Sequence, residues 1–383
     1  MRKIFTLALM AIVLQVTAQD IYSEQLQAVD EYCPAPGQFI NTMPLYEEGD
    51  DARSMAEKCT RCFTSDNPDE RGLVCLGAFG GYMTFHFDHP VANVEGELDF
   101  AIFGNSFRSQ LFKDSVSGKV HGTVCGSSEP GIVMVSQDLN HNGLPDDSWY
   151  ELSGSADTDS ADCEDSALAW DRRLIHGYEI TYHRPASLEA VPWIDNQGQT
   201  GQVERMDAYG HTQEYWPLWM EGDELTFSGT RLPRNAWYFR QGKFKREWVY
   251  LFLHHGYVDN QLNVDTLRCA FDLSWAVDPL TREPVALDHA DFFRVYTAMN
   301  QSVGAQGETS TEVAGAIDLH LQASIDAMQQ QEEPITTQIA WGRPTRTTIL
   351  YRFGPVVVER RTDGTVRKRM NRSSSNRNSF HIY

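Results

Sequence analysis

Residues 138–147 read Asp-Leu-Asn-His-Asn-Gly-Leu-Pro-Asp-Asp, and no other stretch limits the fold as much. Side-chain oxygens recur at Asp138, Asn140, Asn142 and Asp146, the first, third, fifth and ninth positions of a loop. Gly143 stands sixth, where a chain wrapping a cation must turn sharply, and the Leu144 carbonyl falls at the seventh position. Ca²⁺ takes roughly six to eight hard oxygen ligands. The spacing therefore predicts a Ca²⁺ loop with Asp138, Asn140, Asn142, Leu144 and Asp146 as ligands. An EF-hand would carry a bidentate Glu at its last position, where Trp149 stands instead. No amphipathic helix flanks the loop. Val133-Met-Val135 before it and Trp149-Tyr-Glu-Leu152 after it have strand character, so the ion would brace two β-strands rather than serve catalysis. The same residues also suit a solvated Asx-rich turn without an ion.

The remaining pattern is mostly β. Tyr82–Phe87 and Tyr178–Tyr182 alternate, with aromatic enrichment. Asp99–Phe103, Ile132–Val135, Trp248–Leu253 and Phe292–Thr297 are short apolar runs, and Gly, Asn, Asp and Pro clusters punctuate them. Helical signals are confined to Asp51–Lys58 and Leu319–Gln331. Strands without alternating long helices predict a mainly β fold, an antiparallel β-sandwich or jelly-roll-like architecture with long loops. Residues 153–170 and 186–225, polar and glycine-containing, read as the long loops, where binding usually resides.

Arg2, Lys3 and the apolar run Phe5–Val16, followed by Thr17-Ala-Gln19, predict a secretory signal peptide over residues 1–19. The run is too short to span a bilayer, and no later stretch is long and apolar enough to do so. The expected location is exported: cell surface, periplasm or extracellular. A β domain over 20–333 and a basic C-terminal extension over 334–383 complete the division. From Trp341 onward ten Arg or Lys face only Glu359 and Asp363. Arg367-Lys-Arg369 and the stretch from Arg372 to Arg377 read as a solvated, flexible tail. The chain as a whole carries a net charge of −21, which argues against nucleic acid as a partner. Seven cysteines suit an oxidising compartment, and Cys59-Thr-Arg-Cys62 is expected to form a local or cross-linking disulfide.

Catalytic signatures are missing: there is no Gly-x-Ser-x-Gly elbow, phosphate loop or His-Glu-x-x-His pattern. His254-His255 and the pair His86 and His89 are poorly spaced for one zinc ion. Binding has more support. Tyr215-Trp-Pro-Leu-Trp219 follows a polar, glycine-rich run, with Trp193, Trp237 and Tyr238 near in sequence. Loop-borne and exposed, Tyr215, Trp216 and Trp219 would stack on a sugar or a flat macrocycle, whereas buried they would plug the core. Asn105 and Glu129 are further candidate oxygen ligands. Asp259-Asn-Gln-Leu-Asn263-Val-Asp265 is oxygen-rich but lacks the glycine and spacing of a cation loop, and reads as a plain loop.

A resemblance extends these readings. Glu31-Tyr-Cys-Pro-Ala-Pro-Gly-Gln-Phe39, Leu76-Gly-Ala-Phe-Gly-Gly-Tyr82, Asp99–Phe107, Ser128–Val135, the loop continuing into Trp149–Ser155, Phe271–Asp278, Val295–Gln301 and Ser310–His320 cover most of residues 31–320. Together these blocks resemble a family of cell-surface proteins of anaerobic Gram-negative bacteria that carries a generic surface-protein or polycystic-kidney-type-domain label. The resemblance implies an exported β-rich protein. Some relatives are encoded beside outer-membrane vitamin B12 receptors, which implies capture of a corrinoid and its transfer to an outer-membrane transporter. A glycan-binding or adhesive module is the alternative. The family is expected to carry a lipoprotein signal, which this chain lacks: the first cysteine after the apolar run is Cys33.

Overall fold

The computed structural model describes residues 22–108, 110–113, 120–124, 126–158, 174–241, 245–332, 347–353, 356–361 and 366–370. The expected signal peptide, Cys125, Cys163, residues 159–170 and residues 372–377 lie outside them. The chain divides into two compact units, Met1–Asp326 and Ala327–Tyr383.

The first unit is built on a six-stranded sheet. Strands β1 (Ala28–Cys33), β2 (Tyr82–Ala92), β3 (Gly131–Ser136), β4 (Trp149–Leu152), β5 (Ala276–Val277) and β6 (His289–Thr297) lie in the order β1-β2-β6-β3-β4-β5. Every pairing in it is antiparallel. Residues alternate faces along a strand, so the register decides what each face presents. Phe293 stands opposite both Phe85 and Val135. Met83, Phe85, Phe87, Val133, Val135, Phe293 and Val295 thus fill one face. Ile132 and Tyr296 point to the other.

The first face packs on a three-stranded sheet of Phe100–Phe103, Ala270–Phe271 and Gly315–Asp318. The Phe100 ring lies 4.8 Å from Phe293 and stacks on Phe271 at 5.3 Å. Helix α1 (Ala52–Thr64) packs on the same core through Met55, Cys59, Cys62 and Phe63, an apolar stripe at helical spacing. Asp51 caps it, accepting from the Ser54 amide, while the Ser54 hydroxyl accepts from the Asp51 amide. This corrects the disulfide expectation for Cys59 and Cys62. Both are free thiols on the buried side of the helix, as Cys33, Cys75 and Cys269 are free elsewhere.

The second face meets the second large sheet, hereafter the second sheet, a four-stranded antiparallel sheet of Thr200–Val203, Val191–Asp195, Ile175–His183 and Glu224–Arg231. Contact is close at Gly229, where a Cβ would sit 2.9 Å from the Tyr296 ring. A further four-stranded sheet joins Ala236–Gln241, Lys245–Tyr250, Val120–Val124 and Gln110–Lys113. Packed antiparallel sheets make this unit mainly β, a β-sandwich, as the strand pattern predicts. The stretch 186–225 is not one long loop, however. Val191 and Val203 bury themselves against the second sheet's core, and their two strands belong to it.

The second unit contains an antiparallel meander of Thr347–Phe353, Val356–Arg361 and Val366–Met370. Arg367-Lys-Arg369, expected in a flexible tail, therefore lies in a strand. Among the described residues no helix is long and apolar enough to cross a membrane.

Candidate metal centre

Ser136 on β3 pairs with Trp149 on β4, which makes residues 137–148 a hairpin loop framed by strands. The Asp138 amide donates to the Asp291 carboxylate at 2.7 Å, anchoring the loop to β6. The two Asp138 carboxylate oxygens accept from the amides of Asn142 (3.0 Å) and Gly143 (2.8 Å). Asn142 Oδ1 accepts from the Leu144 amide at 2.8 Å. The amide groups of Asn140 and Asn142 donate to the Asp146 carboxylate at 3.0 and 2.9 Å, and Asn140 also reaches Asp147. His141 (φ 57°) and Gly143 (φ 73°) supply the left-handed turn. Asn140 and Asn142 thus gather on Asp146 while Asp138 holds the Asn142–Gly143 turn, within a loop open to solvent. The Leu144 carbonyl accepts from the Asp146 amide at 2.9 Å, and its side chain is exposed.

The aromatic binding site expected at Tyr215, Trp216 and Trp219 is corrected. These rings are 1 %, 2 % and 9 % exposed. Tyr215 and Trp216 cover the second sheet's core, and Trp219 stacks against Tyr32 at 5.5 Å. The second sheet presents Tyr178, Ile180, Tyr182 and Phe227 on one face, and burying that surface requires large apolar cover. Tyr238 is the exposed ring of the set, at 54 %, and it lies 5.5 Å from Trp248.

His86 and His89 each bond carboxylates. His86 bonds Asp30 at 2.9 Å. His89 is held between Asp88 (2.7 Å) and Asp318 (2.8 Å).

Among the described residues, two acidic clusters do bring potential ligand atoms together, within 4.8 Å of one another. Glu151, Asp157 and His176 form the first. Arg282 bonds Glu151 at 2.6 Å and Asp157 at 2.8 Å, so a fixed positive charge already occupies the place of a cation. Glu129, Asp259 and Glu312 form the second. Asp259 and Glu312 are buried, and Glu129 keeps some exposure. Three separate segments deliver them. Glu129 precedes β3, Asp259 follows the buried Tyr257-Val258, and Glu312 starts a two-residue strand paired with Val74–Cys75. Gly104 lets the end of the strand Phe100–Phe103 approach, since a Cβ there would lie 2.4 Å from the Asp259 Cα. Asp259 itself holds φ at 53°.

Backbone and hydroxyl donors orient these carboxylates. Asp259 accepts from the amides of Asn105 (2.6 Å) and Glu312 (3.0 Å). Glu129 accepts from the Ser310 amide (3.1 Å) and the Ser127 hydroxyl (2.9 Å). Burial pushes the Asp259 and Glu312 carboxyls well above the usual range, and the Glu129 charge pushes both further. Burial also raises Glu129. A fourth carboxyl, Glu308, is driven up to about 8 by burial; the amides of Gln38 and of Glu308 itself oppose this, and the Glu129 charge adds to it. Together these groups can share protons or coordinate a hard cation.

Of this second cluster the sequence reading anticipated Glu129 alone as a ligand, and Asn105 contributes its amide rather than its side chain. Asp259 lay in a stretch read as a plain loop, and Glu312 carried no signal beyond its place in a glycine-containing block. A scan against protein-family models finds no match, and neither does a search of curated proteins.

Proposed function

We propose that this chain is an exported β-sandwich protein that binds a ligand rather than transforming one, with Ca²⁺ bracing the hairpin between β3 and β4. The hydrogen bonds that tie Asp138, Asn140, Asn142 and Asp146 into one strand-to-strand loop support this reading. Asp138 already takes the loop amides of Asn142 and Gly143 on its carboxylate, which leaves lone pairs of the same oxygens for an ion. Calcium titration into chelator-stripped protein tests it: saturable uptake is expected, and no heat of binding up to millimolar Ca²⁺ would sink it.

The ligand follows from the resemblance set out above: a nutrient such as a corrinoid, held for an outer-membrane transporter. Two cavities, of about 170 and 150 Å³, fall below the roughly 300–1,000 Å³ of sites that enclose drug-sized molecules. Neither is large enough to enclose a macrocycle. Absorbance titration with cobalamin at micromolar protein should give a saturable spectral shift, and a flat titration rejects the corrinoid.

The exposed Tyr238 ring beside Trp248 favours a second reading, a glycan-binding module in which a sugar stacks on the ring. Binding on a glycan array that disappears in Tyr238→Ala would support that reading in place of the first.

A further inference from the structure

We propose that Glu129, Asp259 and Glu312 hold a second divalent cation, a hard ion of the Ca²⁺ class, inside the first unit and independently of the hairpin loop. The donor atoms lie within 4.8 Å of one another. Ca²⁺–oxygen distances of about 2.3–2.6 Å place opposite ligands roughly 4.6–5.2 Å apart, so the three carboxylates already outline one coordination sphere.

Charge is the first argument. Four acidic side chains, Glu308 included, crowd one interior region, and none of the four is in an ion pair among the described residues. The other acidic cluster shows the usual remedy: Arg282 sits between Glu151 and Asp157. Such a buried group must take up either protons or a cation, because the chain supplies no positive side chain there.

Unpartnered atoms are the second argument, and they are independent of the cluster's own bonds. Glu308 is 6 % exposed; its Oε1 accepts from the Gln38 amide at 2.6 Å, and its Oε2 has no partner. Its charge bears on Glu312, as that of Glu129 bears on Glu308. The Ser106 hydroxyl, in a residue 8 % exposed, also lacks a partner, and the Ser106 amide donates to Asp259. An acceptor-only oxygen and a hydroxyl left unsatisfied in the interior are what an oxygen-ligated ion would complete.

Support around the ligands is the third. Bonds from Ser127, Ser310 and Asn105 fix the carboxylates before any ion arrives, as outer partners of metal ligands do. A cavity of about 150 Å³ is lined in part by Trp193, Asn300 and Glu308. The bound ion would tie the segments carrying residues 129, 259 and 312 to one point.

Two measurements on the full chain test this. Metal analysis after Ca²⁺ loading and desalting is run on the wild type, Asp138→Ala and Glu312→Gln. Asp138→Ala should retain an ion that Glu312→Gln loses. An equal ion content in the wild type and Glu312→Gln, or an Asp138→Ala protein that holds none, overturns the inner site. Loss in Glu312→Gln with full retention in Asp138→Ala would instead uphold the inner site and reject the loop. Should Glu312→Gln fail to fold, wild-type crystals soaked in Mn²⁺ decide. An anomalous peak between the three carboxylates is expected, and its absence overturns the proposal.

Discussion

Single residues carry the sharpest consequences. Asp138 gathers two loop amides and is a ligand in the proposed Ca²⁺ loop. An ion present at about a hundred times its dissociation constant adds about 2.7 kcal/mol of stability. Asp138→Ala should therefore lower the melting temperature in Ca²⁺ by roughly 4 °C, taking about 2.1 cal/mol/K of unfolding entropy per residue over about 300 residues, and remove the loop's share of the response to chelator. Unchanged melting curves in both respects would count against the loop. His89 supplies a pH test. Burial alone would lower its pKa, but the bonds from Asp318 and Asp88 outweigh that and hold it above 6.5. A raised folded value means the stabilisation is complete below pH 6.5 and fades as the pH climbs through the raised value. His89→Gln should flatten the fall of melting temperature on the alkaline side of 6.5. A variant with the wild-type slope would show that this histidine does not govern it.

Elements follow from their patterns, and so do the costs of breaking them. Removing the cap of α1 with Asp51→Ala should cost about 1 kcal/mol, read as a lower urea midpoint at constant slope. Phe293, fully buried between Phe85 and Phe100, should cost about 3–5 kcal/mol when cut to alanine. Alkylation of denatured protein without a reductant should label Cys33, Cys59, Cys62, Cys75 and Cys269, and a protected Cys59–Cys62 peptide would contradict the fold described. At this scale the sequence was a good guide where one face of a strand or helix is apolar: Tyr82–Phe87, Phe292–Thr297 and the helix beginning at Asp51 all form. It misled at Tyr215, Trp216 and Trp219, because ring content records how much apolar area a segment carries and not which sheet will cover it. The two strands inside 186–225 escaped notice because only one side of each is buried, and glycine and polar residues fill the rest.

Across the whole molecule, legibility depends on how far apart the contributing residues lie. The β3–β4 loop is contiguous, so its oxygen spacing and its flanking strands could be read directly. The Glu129, Asp259 and Glu312 cluster joins three segments through long-range pairing, and no local spacing announces it. The β-sandwich is the link between the two: antiparallel pairing of β3 with β6 and of β3 with β4 sets Glu129 at one end of β3 and the loop 137–148 at the other. The central claim is that this loop grips Ca²⁺. Diffraction from crystals grown in millimolar CaCl₂ tests it most directly. The account predicts a strong peak about 2.3–2.6 Å from oxygens of Asp138, Asn140, Asn142 and Asp146 and from the Leu144 carbonyl. A loop without that peak, with the Asn140 and Asn142 amide groups still donating to Asp146, would contradict it.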